Sequence, residues 1–318
     1  MPKAAIIGNT TWGNTLEALL SNNGVTATLW TRSESEAERL NQENHSYTST
    51  DDIAEAVRDA DLLILAVPSQ KLRENINQVK HHLGSATILM SAAKGLETDS
   101  GKRMSQIIEE EVAPSLKRQI CVLSGPNLAR EISQGLPAVS VIAAQDAAVA
   151  RKAKSLLQSP RFHIFTTDDV IGVELSGALK NIAALGAGVI DGLKLGDNAK
   201  AAFIALNWNE AVSLGVTLGA RCDTFYGLAG LGDLIATCAS TLSRNHYVGY
   251  QLAEGRSLAE ISASMPQIAE GVTTTRAVHQ LNKKLGIKAP VTELVYRILF
   301  ESLPSMEMAT SLGKLISS

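Results

Sequence analysis

Seven short apolar runs, mostly separated by helical stretches, occupy the first half of this chain and then stop near Thr167. They lie at 3–7, 25–30, 61–67, 86–91, 119–123, 139–143 and 162–165. Most end on turn-forming residues: Gly8, Thr31-Arg32-Ser33, Pro68-Ser69, Lys94-Gly95 and Ser124-Gly125-Pro126. Near-continuous apolar runs of this length predict strands buried on both faces, and helical stretches between them predict right-handed crossovers. The pattern therefore predicts an α/β domain built on a doubly wound, largely parallel sheet. Beyond 167 helical stretches dominate to the end, which predicts an all-helical second domain. The expected division is 1–168 and 169–318, the first of a dinucleotide-binding type and the second carrying substrate and catalysis.

Composition narrows the function classes. The 318 residues are 45% hydrophobic with only 4% aromatics, which predicts an aliphatic, closely packed core. A net charge of -3 and the lack of a long basic run argue against nucleic-acid and anionic-membrane partners. No uninterrupted apolar run reaches the length of a membrane span, so stable membrane insertion is not expected. Cys121, Cys222 and Cys238 are odd in number and widely spaced. That argues against a disulfide framework or zinc ribbon and for a reducing, cytoplasmic setting. The histidines show no ligand spacing; the one pair, His81-His82, is expected on a polar helix surface, and no metal site is expected. Met1-Pro2-Lys3 leads straight into a strand, without a signal-peptide layout.

The first apolar run ends in Gly8-Asn9-Thr10-Thr11-Trp12-Gly13 and a helical stretch follows. Strand, glycine loop and helix in that order make a dinucleotide phosphate site of the Rossmann type, with backbone N–H groups at the helix N-terminus. Thr10 stands where a middle glycine is expected, and its β-branched side chain would add bulk where the phosphate comes close. A plain strand–helix turn is the competing reading. Arg32 ends the second strand, where NAD enzymes usually place an acidic residue for the ribose hydroxyls. It suits a 2′-phosphate, which favours NADP(H) over NAD(H); the competing reading is an ordinary surface charge. Glu34 and Glu36 are expected to start the next helix.

The stretch 172–198 is rich in Gly and Ala and reads as one helix that other elements approach closely. Glycine weakens a helix, so packing must hold it. Lys180 stands inside this apolar segment, with Asn181 beside it. It is either a surface lysine or a cation held among apolar groups, a setting that suits acid–base work.

Several motifs then occur in a fixed order: Ala66-Val67-Pro68-Ser69, Ala93-Lys94-Gly95-Leu96-Glu97, Leu123-Ser124-Gly125-Pro126-Asn127-Leu128-Ala129-Arg130-Glu131, Leu179-Lys180-Asn181-Ile182-Ala183, Gly227-Leu228-Ala229-Gly230-Leu231-Gly232-Asp233-Leu234, Thr237-Cys238 and Ser243-Arg244-Asn245. In order and spacing the chain resembles bacterial-type NAD(P)-dependent glycerol-3-phosphate dehydrogenases over nearly its whole length. The resemblance implies reversible reduction of dihydroxyacetone phosphate to sn-glycerol 3-phosphate, supplying phospholipid synthesis. It implies Lys180 as the acid/base, and Lys94, Gly125, Asn127, Asp233, Ser243, Arg244 and Asn245 around the substrate. Thr11, Trp12, Arg32, Lys94, Ala129, Arg244, Ile268 and Glu270 match cofactor-side positions, beside the loop glycines Gly8 and Gly13. The chain departs from the family at Thr10 and at Ala205-Leu206-Asn207, where the family usually has Thr-Arg-Gly.

The residue types suit that chemistry. Hydride addition to a carbonyl carbon puts charge on its oxygen, which Lys180 can stabilise and protonate. Asp233 and Asn181 are expected to orient Lys180. Arg244 and Asn245 offer donors to a phosphate, and Ser243 is a good helix N-cap residue. The expected ligands are NADP(H), with NAD(H) as the second cofactor, and a small phosphorylated substrate; a homodimer is the oligomeric expectation. Two other readings stand beside this one. One is a related β-hydroxyacid-type dehydrogenase; the other is a non-catalytic NADP(H)-binding protein, motivated by Thr10 and Leu206.

Overall fold

The computed structural model of the chain describes residues 1–43, 48–240, 242–265 and 269–317. Two compact units form. The first is Met1–Lys94 with Met104–Val173, and the second is Gly95–Arg103 with Glu174–Ser318. The second unit thus takes in residues 95–103, which a single cut at 168 leaves with the first.

The first unit holds strands β1 (Lys3–Ile7), β2 (Thr26–Trp30), β3 (Thr48–Thr50), β4 (Leu62–Leu65), β5 (Ile88–Ser91), β6 (Ile120–Ser124), β7 (Ala138–Ala144) and β8 (Phe162–Thr167). They form one sheet in the order β3-β2-β1-β4-β5-β6-β7-β8. Neighbours run parallel except β6 and β7, which pair antiparallel from Cys121↔Ala144 to Ser124↔Val141. The apolar runs are continuous because both faces are covered. In β4, Leu62 and Ile64 join one core with Leu16 and Leu20, while Leu63 and Leu65 join the other with Leu72 and Ile76. The strand that the hydrophobic pattern does not reveal is β3. It is Thr-Ser-Thr at the sheet edge, paired only through Thr28↔Thr48 to Trp30↔Thr50, and it needs no apolar face to form. The sheet order reverses at β1, which puts the loop 8–13 at the topological switch point.

The second unit is helical. The Val170–Gly192 helix, which belongs to it from Glu174 on, is long and apolar enough to cross a membrane by length and composition, yet 94% of its most apolar window is buried inside the fold. Its glycines are explained by their neighbours. A Cβ on Gly186 would stand 1.9 Å from the Phe203 ring, and one on Gly188 would stand 2.0 Å from the His246 carbonyl oxygen. From the other side, a Cβ on Gly249 would meet the Leu185 carbonyl oxygen at 1.9 Å. The Val170–Gly192 and Arg244–Ala253 helices therefore pack backbone against backbone. Residues 95–103 are tied to this unit by the buried Arg103–Glu174 ion pair and by Leu96, which is fully buried.

Candidate active site

Each unit gathers its own set of polar residues. In the first unit, Gly8 takes a positive φ of 124°, a conformation that disfavours any side chain, and an added Cβ would lie 2.5 Å from the Ala66 carbonyl oxygen. A Cβ on Gly13 would lie 2.1 Å from the Gly8 carbonyl oxygen, so the loop closes only with glycine there. Thr10 is the N-cap of the Thr11–Asn22 helix. Its hydroxyl accepts from Gly13 N at 3.0 Å and donates to the Ala66 carbonyl oxygen at 3.1 Å. The hydroxyl thus ties the loop to itself and to the residue after β4, a role that the glycine pattern did not suggest. Thr11 is exposed and Trp12 half-buried at the start of this helix. Ala129 opens the short Ala129–Ser133 helix, which lies beside it: the Thr15 and Ser133 hydroxyls are 3.0 Å apart.

Arg32 is exposed just past β2 and lines a cavity of about 280 Å³ with Trp30, Glu74, Asn75 and Gln78. Glu34 begins the Glu34–Glu43 helix as expected, and Glu36 accepts from the Asn9 amide at 2.6 Å. Past β5, the Lys94 ammonium donates to the Gly125 carbonyl oxygen at 2.8 Å. Gly125 has a φ of 140°, with Ser140 close behind it. The Ser140 hydroxyl donates to Asn127 Oδ1 at 2.6 Å, while Asn127 Nδ2 is buried with no hydrogen-bond partner among the described residues. Lys94, Gly125 and Asn127 are thus one group.

In the second unit Lys180 is 6% exposed, so it is not a surface lysine. Its ammonium donates to Asp233 Oδ1 and to Thr237 Oγ1, each at 2.5 Å. Asp233 and Thr237 are buried and lie one turn apart on the Asp233–Ala239 helix, and the Thr237 hydroxyl donates to Asp233 at 3.4 Å. Thr237 is the partner that residue-type reasoning missed; its signal was the i,i+4 spacing from Asp233. Asn181 bonds to another helix. Its Oδ1 accepts from the Asn245 amide at 2.9 Å, because Lys180 and Asn181, adjacent on a helix, point about 100° apart. Asn245 Oδ1 in turn accepts from Gly271 N at 2.9 Å, beside Glu270 at the start of the Glu270–Leu285 helix. Gly271 must be small, since a Cβ there would lie 2.7 Å from Asn245 Oδ1.

Ser243 caps the Arg244–Ala253 helix, accepting from His246 N at 3.2 Å. Arg244 is exposed, with the Glu270 carboxylate as its electrostatic neighbour. Ile268 lies outside the described residues. Burial would raise the Asp191 carboxyl, but hydrogen bonds from His246 at 2.7 Å and Lys200 at 2.9 Å hold it below the usual carboxylate range. Cys238 is packed, and burial pushes its thiol up to about 12, which rules it out as a ready nucleophile. At the departure from the family, Leu206 is half-buried. Asn207 donates to the Thr292 hydroxyl at 3.2 Å, and Glu210 accepts from Val291 N and Thr292 N at 2.7 and 2.8 Å. That carboxylate caps the Pro290–Phe300 helix.

Comparison with known proteins identifies the family. Residues 3–150 match the family model for the N-terminus of NAD-dependent glycerol-3-phosphate dehydrogenase, and residues 169–310 match the one for its C-terminus. A glycerol-3-phosphate dehydrogenase [NAD(P)+] of Dehalococcoides mccartyi is 47% identical over 322 residues, 97% of this chain and 90% of the relative. That of Streptomyces coelicolor is 43% identical, over 94% of this chain and 92% of the relative. The crystal structure of glycerol-3-phosphate dehydrogenase from Coxiella burnetii superposes with a TM-score of 0.92 at 30% identity, covering 100% of this chain and 99% of that one. With the switch-point glycine loop in the first unit and the buried lysine, aspartate and threonine in the second, these matches place the chain in the NAD-dependent glycerol-3-phosphate dehydrogenase family.

Proposed function

We propose that this chain reduces dihydroxyacetone phosphate to sn-glycerol 3-phosphate, reversibly, with NADP(H) or NAD(H). The observation that carries the reading is Lys180, buried and held by Asp233 and Thr237, one turn apart on the same helix. The first unit fits a dinucleotide: it presents a glycine loop, a helix N-terminus behind it and a cavity beside Arg32. Gly8, Thr11, Trp12, Gly13, Arg32, Lys94 and Ala129 are the proposed nucleotide contacts of this unit, and Arg244 and Glu270 are carried as cofactor-side residues by the family resemblance. When bound in reduced form, the nicotinamide supplies the hydride that adds to the C2 carbonyl carbon.

The residues of the chain do the rest. An ammonium has three N–H groups; Asp233 and Thr237 take two from Lys180, which leaves the third for the C2 oxygen. As charge builds on that oxygen Lys180 donates its proton, and it is recharged from water; in the oxidation it takes the hydroxyl proton. Arg244 offers a guanidinium to the substrate phosphate. Asn245 keeps a second amide N–H beyond the one given to Asn181, and the Ser243 hydroxyl proton stays available while its oxygen caps the helix. Lys94, Gly125 and Asn127 belong to the same reading as contacts to the substrate. The cytoplasm is the proposed setting, supported by three free cysteines, and a homodimer the proposed assembly.

The test is NADPH oxidation with dihydroxyacetone phosphate, beside NADH and a no-substrate control. Turnover is expected with the full chain. Lys180→Ala should lower kcat by at least about 100-fold with little change in nucleotide Kd, the range of a lost acid–base group. Near-normal kcat in that variant would remove Lys180 as the acid/base.

A further inference from the structure

The cavity beside Arg32 holds a second charge that neither the phosphate-loop motif nor the family match assigns. Its walls are Trp30, Arg32, Glu74, Asn75 and Gln78. Two of these walls are fixed. The Trp30 indole N–H donates to the Asp51 carbonyl oxygen at 3.0 Å, and the buried Asn75 amide donates to the Lys71 carbonyl oxygen at 2.7 Å. Glu74 stands in the first turn of the Leu72–Val79 helix and pairs with the Lys71 ammonium at 2.9 Å. The Lys71 hydrogen bond holds the Glu74 carboxyl below the usual carboxylate range, and the Arg32 guanidinium adds a smaller pull. The carboxylate is therefore charged at neutral pH. It faces the same cavity as the one arginine suited to a 2′-phosphate.

We propose that Glu74 sets the ratio of NADP(H) to NAD(H) use by sharing this cavity with Arg32. This rests on the nucleotide reading above. Arg32 attracts a 2′-phosphate, and Glu74, whose charge the Lys71 ammonium answers in part, offsets some of that attraction and repels the phosphate. A ribose without the phosphate brings two neutral hydroxyls, which a carboxylate accepts well. Arg32 alone would make the cavity a dedicated 2′-phosphate site. Arg32 with Glu74 makes it a balanced one, in which neither nucleotide is strongly refused. Discrimination here is a difference of two affinities, with the carboxylate as the repulsive element against one of them.

The decisive measurement is the ratio Kd(NADH)/Kd(NADPH), from nucleotide fluorescence titrations of the full chain and its Glu74→Gln, Glu74→Asp and Arg32→Ala variants. The ratio is the right readout because a merely structural role would move both Kd values together. Glu74→Gln should raise the ratio about three- to fivefold at low salt, the size of one exposed charge interaction. The gain should shrink as ionic strength rises. Glu74→Asp should keep the ratio near that of the unmodified chain, and Arg32→Ala should lower it. The pair 2′,5′-ADP and 5′-AMP, used as competitors, should give the same ranking without the nicotinamide end. An unchanged ratio in Glu74→Gln, with both nucleotides still bound, overturns the role of Glu74 alone. If the unmodified chain binds neither nucleotide, the cofactor reading falls and this proposal falls with it.

Discussion

Thr10 is the position where bulk and geometry make opposite predictions. If its side chain crowds the pyrophosphate, Thr10→Gly relieves the clash and tightens nucleotide binding. In the structure the hydroxyl instead caps Gly13 N and bonds the Ala66 carbonyl oxygen, closing the loop onto the end of β4. Thr10→Val keeps the shape and deletes both bonds. Losing an N-cap costs about 1 kcal/mol, and a second net hydrogen bond costs about another 1 kcal/mol. Together they give roughly 2 kcal/mol, a melting shift of about 4–8 °C for a unit of this size. If the whole cost is met again when nucleotide orders the loop, Kd for NADPH weakens by up to about 30-fold. Thr10→Ser retains the hydroxyl and should stay close to the unmodified chain in both measures. The assays are thermal unfolding without ligand and a fluorescence titration with NADPH, on all three variants side by side. The cap reasoning is refuted if Thr10→Gly binds NADPH more than about threefold tighter, or if Thr10→Val melts with the unmodified chain.

Three other outcomes follow from burial. Asp233→Asn leaves the Lys180 ammonium buried without its counter-charge and should destabilise the second unit by about 3–5 kcal/mol in denaturant unfolding; Lys180→Met with Asp233→Leu should recover most of it while abolishing turnover. Glu17 is 1% exposed, and burial raises its carboxyl above the usual value even though Ser21 donates to it. An acid whose folded pKa is raised loses stability as pH climbs from its unfolded value through its folded one. Glu17→Gln should therefore melt higher than the unmodified chain at pH 8, and the gap should close below about pH 4.5, the ordinary glutamate range. Gly249→Ala, with a Cβ 1.9 Å from the Leu185 carbonyl oxygen, should fail to fold or melt far lower; Gly313→Ala, with nothing within 4 Å, should gain about 0.5–1 kcal/mol.

The strands of the first unit were legible wherever burial on two faces forced a continuous apolar run. Leu62–Leu65 needed nothing but its own composition, whereas Thr48–Thr50 left no trace because an edge strand needs only backbone partners. Lys180 was ambiguous in the sequence, since a helix wheel gives neighbours on its own helix but not the element packed against it. Asp233 and Thr237 resolve the ambiguity from 53 and 57 residues away. Asn181 shows the same limit: adjacency in sequence suggested Lys180, and the bond to Asn245, 64 residues away, could not be read from it. Thr10 was readable as a departure from a glycine pattern, but the direction of its hydroxyl was not. Glu74 carried no signal, because its meaning depends on Arg32, brought near it by the parallel pairing of β1 with β2 and β4.

The glycine crossing between the Val170–Gly192 and Arg244–Ala253 helices has a further consequence, for how this chain can change over generations. A joint made of side chains can be tuned, since one rotamer or one methylene shifts a helix by fractions of an ångström. A joint made of main chain at Gly188 and Gly249 offers no such adjustment: any larger residue collides with a carbonyl, and there is nothing smaller than glycine. The register between the helix bearing Lys180 and Asn181 and the one bearing Arg244 and Asn245 is thus frozen. A lineage drifting toward a longer or shorter substrate cannot slide one helix along the other. It must alter the helix ends and the loops that lead into them, and leave the spacing of lysine and arginine as an inherited ruler.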